Sequence, residues 1–395
     1  MRDMVAEYTK RLEPSAIRAV LDRAAALRAE GRPIVPFSAG EPDFPTPTPI
    51  KKATEQAIED NFSHYCSNRG IPELRELLAK KLKDESKVEY DPATEIIVTS
   101  GGAEALNNAI LTFVGPGDEV IVPTPAFVTY KNLAKFAGGV FVDVPLRAED
   151  NFQLNADEIE KVITPKTKMI VVNNPNNPSG AVYTRETLEK VAALAVKYDL
   201  LVLSDEMYSR LVYDDAEFVS MAALPGMRER TIIVTGFSKT YAMTGWRLGY
   251  LAADKKLCDW MIKTHQYSTT NSPTFIQVGL VHALQDPQTE KEVQIMLDAF
   301  AKRRKNILAG LKKIHGLKVI EPKGAFYVLV DVSGTGLTGK DFAMRLLEEY
   351  NVATVPAIGL GDACGDFIRI SYAASDENIV RGLENIEAFV KSLGV

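Results

Sequence analysis

Between about residues 50 and 250, short runs dominated by Ile, Val and Leu alternate with stretches of helical periodicity. The runs are Glu95–Thr99, Glu119–Val122, Met169–Val172, Leu200–Leu203, Thr231–Thr235 and Leu248–Ala252. A strand with one wet face alternates polar and apolar residues, and these runs do not. Both faces must therefore be covered, which is the condition of a mainly parallel sheet flanked by helices. The fold class expected is α/β.

In such a sheet ligands lie beyond the carboxyl ends of the strands, so the polar residues that follow each run matter most. Ser100-Gly101-Gly102-Ala103-Glu104 follows the first run and opens a helix. Glycines let the backbone approach an anion that the free N–H groups and the helix dipole would hold, although a tight turn also uses them. Met169–Val172 leads into Asn173-Asn174-Pro175-Asn176-Asn177-Pro178-Ser179-Gly180, a turn-forming segment dense in side-chain amides. Leu200–Leu203 leads into Ser204-Asp205-Glu206-Met207-Tyr208, where a carboxylate leaving a buried strand requires a cation or donors, or else caps a helix. Thr231–Thr235 leads into Gly236-Phe237-Ser238-Lys239-Thr240-Tyr241 and then Gly245-Trp246-Arg247-Leu248-Gly249-Tyr250. Lys239 and Arg247 thus stand at the mouths of neighbouring strands.

Outside this region the pattern changes. Helical spacing from Ser15 predicts an N-terminal helix that Gly31-Arg32-Pro33 ends, and the prolines of residues 40–47 predict an ordered loop or boundary. A long charged helix is expected around Thr289–Ile314, a strand over Ala325–Val332, a helix over Lys340–Glu349, and short strands near Val352 and Phe367. Gly334-Thr335-Gly336-Leu337-Thr338-Gly339 mimics a dinucleotide fingerprint and most of a P-loop. The next strand ends in Pro356 instead of an acid for a ribose, and Asp341 stands where a magnesium-binding hydroxyl belongs, so a nucleotide site is set aside.

Composition narrows the partners. At 395 residues, with 46% hydrophobic and 25% charged residues, the chain suits one large domain with a smaller companion. A net charge of −6 supplies no field for nucleic acid. No 18-residue apolar stretch or signal-like segment is visible, so no membrane span and a cytoplasmic location are expected. Cys66, Cys258 and Cys364 are odd in number and widely spaced, and the four histidines lack metal-ligand spacing, so neither disulfides nor metal are expected.

Taken in order, these loops resemble the class I/II aminotransferases related to aspartate aminotransferase, which are fold-type-I pyridoxal-phosphate enzymes. The resemblance runs from Gly40-Glu41-Pro42-Asp43-Phe44 through Tyr65, Gly70-Ile71-Pro72-Glu73-Leu74-Arg75 and the strand-end loops to Arg369-Ile370-Ser371-Tyr372-Ala373. It implies a large domain with a mainly parallel seven-stranded sheet, and a smaller α/β domain built from both termini. The boundaries expected are 1–48 for the N-terminal arm and helix of the small domain, 49–288 for the large cofactor-binding domain, and 289–395 for the C-terminal small domain.

The resemblance also implies roles. Lys239 would hold pyridoxal 5'-phosphate covalently and shuttle the substrate proton. Asp205 would keep the pyridine nitrogen protonated, and Asn177 and Tyr208 would bond the phenolic oxygen. The phosphate would be held by the N–H groups of Gly102 and Ala103, by Ser238, Arg247, and Tyr65 from the partner subunit of a homodimer with shared sites. Phe127 would stack on the ring, where relatives usually have Tyr or Trp, and many relatives carry a hydroxyl residue where Ala103 stands. Arg369 would clamp the substrate carboxylate with help from Asn177 and Gly40.

The reaction so implied is ping-pong transfer of an amino group from an L-amino acid, aspartate first, to a 2-oxo acid such as 2-oxoglutarate. Places that carry a basic residue for a distal carboxylate in dicarboxylate-specific members hold Gln266 and Ala103 here, which keeps aromatic or neutral donors open. The alternatives are a lyase of the same fold and, more remotely, a pyridoxal-phosphate-sensing regulator, which would carry an added DNA-binding domain.

Overall fold

The computed structural model describes residues 4–12 and 16–395. Its larger sheet has seven strands: β1 (Ile96–Thr99), β2 (Glu119–Thr124), β3 (Val140–Pro145), β4 (Thr167–Asn173), β5 (Leu201–Asp205), β6 (Thr231–Gly236) and β7 (Gly249–Ala252). They lie in the order β1-β7-β6-β5-β4-β2-β3. β3, β2, β4, β5 and β6 are parallel, and β7 runs antiparallel to both β6 and β1. The fold is the expected α/β arrangement, with helices on both faces. β1 is wholly buried, β4 is buried except at Lys168, β5 except for a half-buried Leu201 and β6 except at its terminal glycine, which is why their sequences read as Ile/Val/Leu runs.

This register aligns the strand ends that carry chemistry. Thr99 pairs with Gly249, Gly249 with Gly236, and Asn173 with Asp205, so Thr99, Gly236, Asp205 and Asn173 end at one edge of the sheet. The segments after them, which hold Ser100, Lys239, Tyr208 and Asn177, are thereby gathered along a single line.

A second sheet contains β8 (Lys318–Ile320), β9 (Tyr327–Asp331), β10 (Val355–Pro356) and β11 (Phe367–Ser371), antiparallel throughout in the order β10-β11-β9-β8. Residues near both ends of the chain share its core: Val35 and Phe37 pack with Phe300, Phe326, Phe342 and Phe389. Full burial of each such ring favours folding by roughly 2–3 kcal/mol before chain entropy is charged. The Ser371 N–H donates to the Phe37 carbonyl at 2.8 Å, which fixes the segment leading to Gly40 against β11.

Three expectations are adjusted. β3 and β8 had no counterpart among the predicted runs, because β3 is an edge strand with mostly half-exposed residues and β8 has only three. The strand near Val352 is a single bridge to Val35, and the ladder begins at Val355. The N-terminal helix spans Ala16–Ala29, and the start expected at Ser15 lies outside the described residues. The glycine-rich segment at Gly334–Gly339 is a turn whose Thr338 hydroxyl caps the helix Gly339–Tyr350 by accepting the Asp341 N–H. Cys66, Cys258 and Cys364 are free thiols, and no group of potential metal ligands occurs among the described residues. Nor is any described helix long and apolar enough to cross a membrane.

Candidate active site

A cavity of about 330 Å³ opens at the strand-end edge, within the usual range for a small-molecule site. Gly40, Gly102, Ala103, Phe127, Asn177, Asp205, Tyr208, Ser238, Lys239, Arg247 and Arg369 all line it. Tyr65 does not, and its side chain is 87% exposed.

At one end the helix Gly102–Phe113 begins without a side-chain cap, so its first N–H groups remain available to an anion. Gly101 takes φ +79°, and a Cβ there would come within 2.6 Å of Arg247 Nη2. A Cβ on Gly249 would meet the Gly101–Gly102 backbone at 2.8 Å. Both glycines therefore allow the loop and Arg247 to close on the same spot, with Ser238 beside them. Arg247 itself adopts a left-handed φ of 55° after the turn Thr244–Trp246, and it donates to the Thr244 carbonyl at 3.0 Å. A non-glycine residue held there is strained, a feature concentrated at functional sites.

In the centre, Lys239 Nζ donates to the Gly40 carbonyl at 2.6 Å. Burial, reinforced by the Arg369 and Arg247 charges against an opposing pull from Glu41, lowers the Lys239 amine to about 8. Asp205 is buried at the end of β5. Burial pushes its carboxyl up, opposed by Tyr130, whose hydroxyl donates to Oδ2 at 2.6 Å, and by the Met207 N–H, which donates to Oδ1 at 3.1 Å. At the far end Arg369 projects from β11. It donates to Asn177 Oδ1 at 3.0 Å and to the Ser38 carbonyl at 3.3 Å, while its Nε is buried without a partner. Among the described residues no carboxylate pairs with it.

Sequence reasoning passed over Tyr130, Tyr327, Ser38, Asn173, Leu21 and Thr244, all of which line the cavity. Tyr130 lies three residues after Phe127, in the first turn of the helix Thr129–Phe136, and that nearness is a usable signal. Tyr327 gives none, because its position depends on how β9 lies beside β11. Its hydroxyl is 3.0 Å from that of Tyr208, and the Arg369 guanidinium sits 4.5 Å from its ring centroid.

The residues present fit pyridoxal phosphate. An uncapped helix start with Ser238 and Arg247 suits a phosphate, a buried carboxylate suits a protonated ring nitrogen, and a lysine of lowered basicity suits a carbonyl. The half-buried face of Phe127 and the unpartnered Arg369 Nε supply a wall for a ring and a place for a carboxylate.

Comparisons with known proteins agree. The family model for aminotransferase class I and II matches residues 32–386. Aspartate aminotransferase of Pyrococcus abyssi is 42% identical over 96% of each chain, and aromatic-amino-acid aminotransferase 2 of Thermococcus litoralis is 40% identical over the same shares. A structure of aspartate aminotransferase from Thermus thermophilus with maleate superposes with a TM-score of 0.93 at 40% identity, covering 98% of this chain and 100% of that one.

Proposed function

The chain belongs to the class I and II aminotransferases and is a pyridoxal-phosphate-dependent transaminase; on that premise we propose that the cavity between Lys239 and Arg369 is its active site. Its substrates are amino acids and 2-oxo acids. The observation that carries the site assignment is a buried Arg369 with no carboxylate partner among the described residues, in the same cavity as Lys239 and Asp205.

Bound there, the cofactor supplies an electron-accepting ring that takes up the pair left when the substrate Cα loses its proton. Asp205 would support that role by holding a proton on the ring nitrogen, and the Tyr130 and Met207 donors favour its ionised form against the cost of burial. Gly102, Ala103, Ser238 and Arg247 would hold the phosphate, Phe127 would cover the ring, and Asn177 and Tyr208 would bond the phenolic oxygen. Lys239 Nζ would carry the cofactor and serve as the base for the Cα proton, which an arginine could not do at neutral pH. Arg369 receives the substrate α-carboxylate on its open edge, steadied by Asn177 and by the backbone near Gly40.

The same reading takes residues 49–288 as the cofactor-binding domain and 1–48 with 289–395 as the smaller one. The core shared by Val35, Phe37 and Phe389 supports that division. It also takes the working unit as a homodimer in which Tyr65 serves the neighbouring site, in keeping with the outward placement of that side chain.

Aspartate is the first donor proposed, with 2-oxoglutarate as acceptor. A second reading, aromatic or neutral donors, is supported by the apolar Leu21 and Leu106 in the lining. Two measurements test the assignment. Borohydride trapping with peptide mapping is expected to place the cofactor on Lys239, and label on another lysine would refute the site. A panel of donors, followed by the absorbance change of the bound cofactor, is expected to show turnover with aspartate, and turnover with phenylalanine alone would replace aspartate as first donor.

A further inference from the structure

Tyr208 and Tyr327 are both fully buried, and their hydroxyls lie 3.0 Å apart. Each phenol carries one proton, so only one of them can donate across that contact. If Tyr208 spends its proton on a cofactor oxygen, the contact stays satisfied only with Tyr327 as donor. The surroundings of Tyr327 favour that direction. The Arg369 guanidinium lies over its ring at 4.5 Å, and the Tyr327 hydroxyl also sits against Gly40, where an added Cβ would approach to 3.3 Å. A cation on the ring face stabilises electron density moved onto the phenol, which makes its O–H the stronger donor. Burial raises the Tyr327 phenol and the Arg369 charge pulls it back down.

We propose that Tyr327 is a positioning residue for the transamination site: it donates its hydroxyl proton to Tyr208 Oη, so that the Tyr208 proton is directed at the cofactor's phenolic oxygen and the proton affinity of Lys239 Nζ is kept low. The inference rests on the placement of Tyr208 against that oxygen. Tyr327 touches neither the reacting atoms nor the phosphate; it acts through Tyr208. It also joins two functions, since one ring meets both the arginine that receives the substrate carboxylate and the phenol that tunes the lysine.

The test is the pKa read from the absorbance of the bound cofactor in the holoenzyme. Tyr208→Phe is expected to raise it by more than about one unit, through loss of a direct bond to a charged oxygen. Tyr327→Phe should raise it by roughly half a unit, the size of one net hydrogen bond acting at second hand. On the Tyr208→Phe background, Tyr327→Phe should change nothing, because the relay is already cut. Incorporation of difluorotyrosine at position 327, a more acidic phenol with the same reach, should move the pKa down. An equal shift in both backgrounds, no shift from Tyr327→Phe, or an upward shift with the fluorinated residue overturns the relay. A Tyr208→Phe protein with an unchanged pKa overturns the placement of Tyr208 as well, which separates the two failures.

Discussion

Asp205 shows how the cost of burying a carboxylate is opposed by its neighbours. Burial drives its carboxyl toward the neutral form, and the structure answers with the Tyr130 hydroxyl at 2.6 Å, the Met207 N–H at 3.1 Å and the Lys239 charge. A hydrogen bond to a charged group contributes about 1.5–3 kcal/mol, and a tenfold change corresponds to about 1.4 kcal/mol. Tyr130→Phe is therefore expected to lower the rate of the amino-acid half-reaction by about tenfold with the cofactor still bound. The sign of the pH effect follows from the same bond. Without it the Asp205 carboxyl is raised further, the ionised form appears only at higher pH, and the acid limb of the rate profile should move up. A stopped-flow profile that keeps both its height and its acid limb would count against the role of Tyr130. Lys239, Asp205, Asn177, Arg247 and Arg369 were legible in the sequence because each lies in, or just beyond, a strand or strand-end loop that the apolar runs and recognised motifs marked. Tyr130 and Tyr327 were not, since their hydroxyls meet Asp205 and Tyr208 only through tertiary packing, 75 and 119 positions away in the chain.

Among the elements, the helix Gly102–Phe113 is the one that the proposed site sets against the cofactor's phosphate. Its start is set by Gly101 and held from behind by Glu104, which accepts the Ser100 N–H at 2.5 Å, the Asn108 amide at 3.2 Å and a 2.6 Å contact with His265 Nδ1. Burial works against the ionised carboxyl, but these partners outweigh it and hold Glu104 below the usual carboxylate range. Because its folded value is depressed, the stability Glu104 contributes is present above its unfolded pKa and is lost as pH falls through the folded one. Glu104→Ala would strip the Ser100 N–H and the fully buried His265 of a partner. The expected cost is about 2 kcal/mol in the denaturant stability of the apoprotein, with faster loss of cofactor into phosphate-free buffer. An apoprotein with an unchanged midpoint and an unchanged release rate would show that the loop needs no such brace. The sequence pointed to this helix through its glycines, yet gave no sign of His265, which arrives from the helix Lys255–Ser268. β3 escaped for a related reason: an edge strand with half-exposed residues does not read as an unbroken apolar run.

At the scale of the whole molecule, the cavity built by one chain does not include Tyr65, which the family resemblance would place at the phosphate. Tyr65 is 87% exposed, and Phe62 and Tyr267 are exposed as well, a set of aromatic surfaces more typical of an interface than of a solvated face. A two-fold dimer would resolve both observations, because an isologous interface returns each chain's Tyr65 to the other's phosphate end. Subunit mixing tests this directly. Chains with Lys239→Ala form inactive dimers, and chains with Tyr65→Ala form impaired ones. In a hybrid the shared-site arrangement places both lesions in one site and leaves the other native. Random exchange of equal amounts makes half the dimers hybrid, each with one intact site of two, so activity should recover to about a quarter of the wild-type value. If Tyr65 instead serves its own chain, every site in the hybrid carries one lesion. Activity after complete exchange, confirmed by mass labelling of the subunits, would then never exceed the mean of the two separate variants, and that result would overturn the shared-site arrangement.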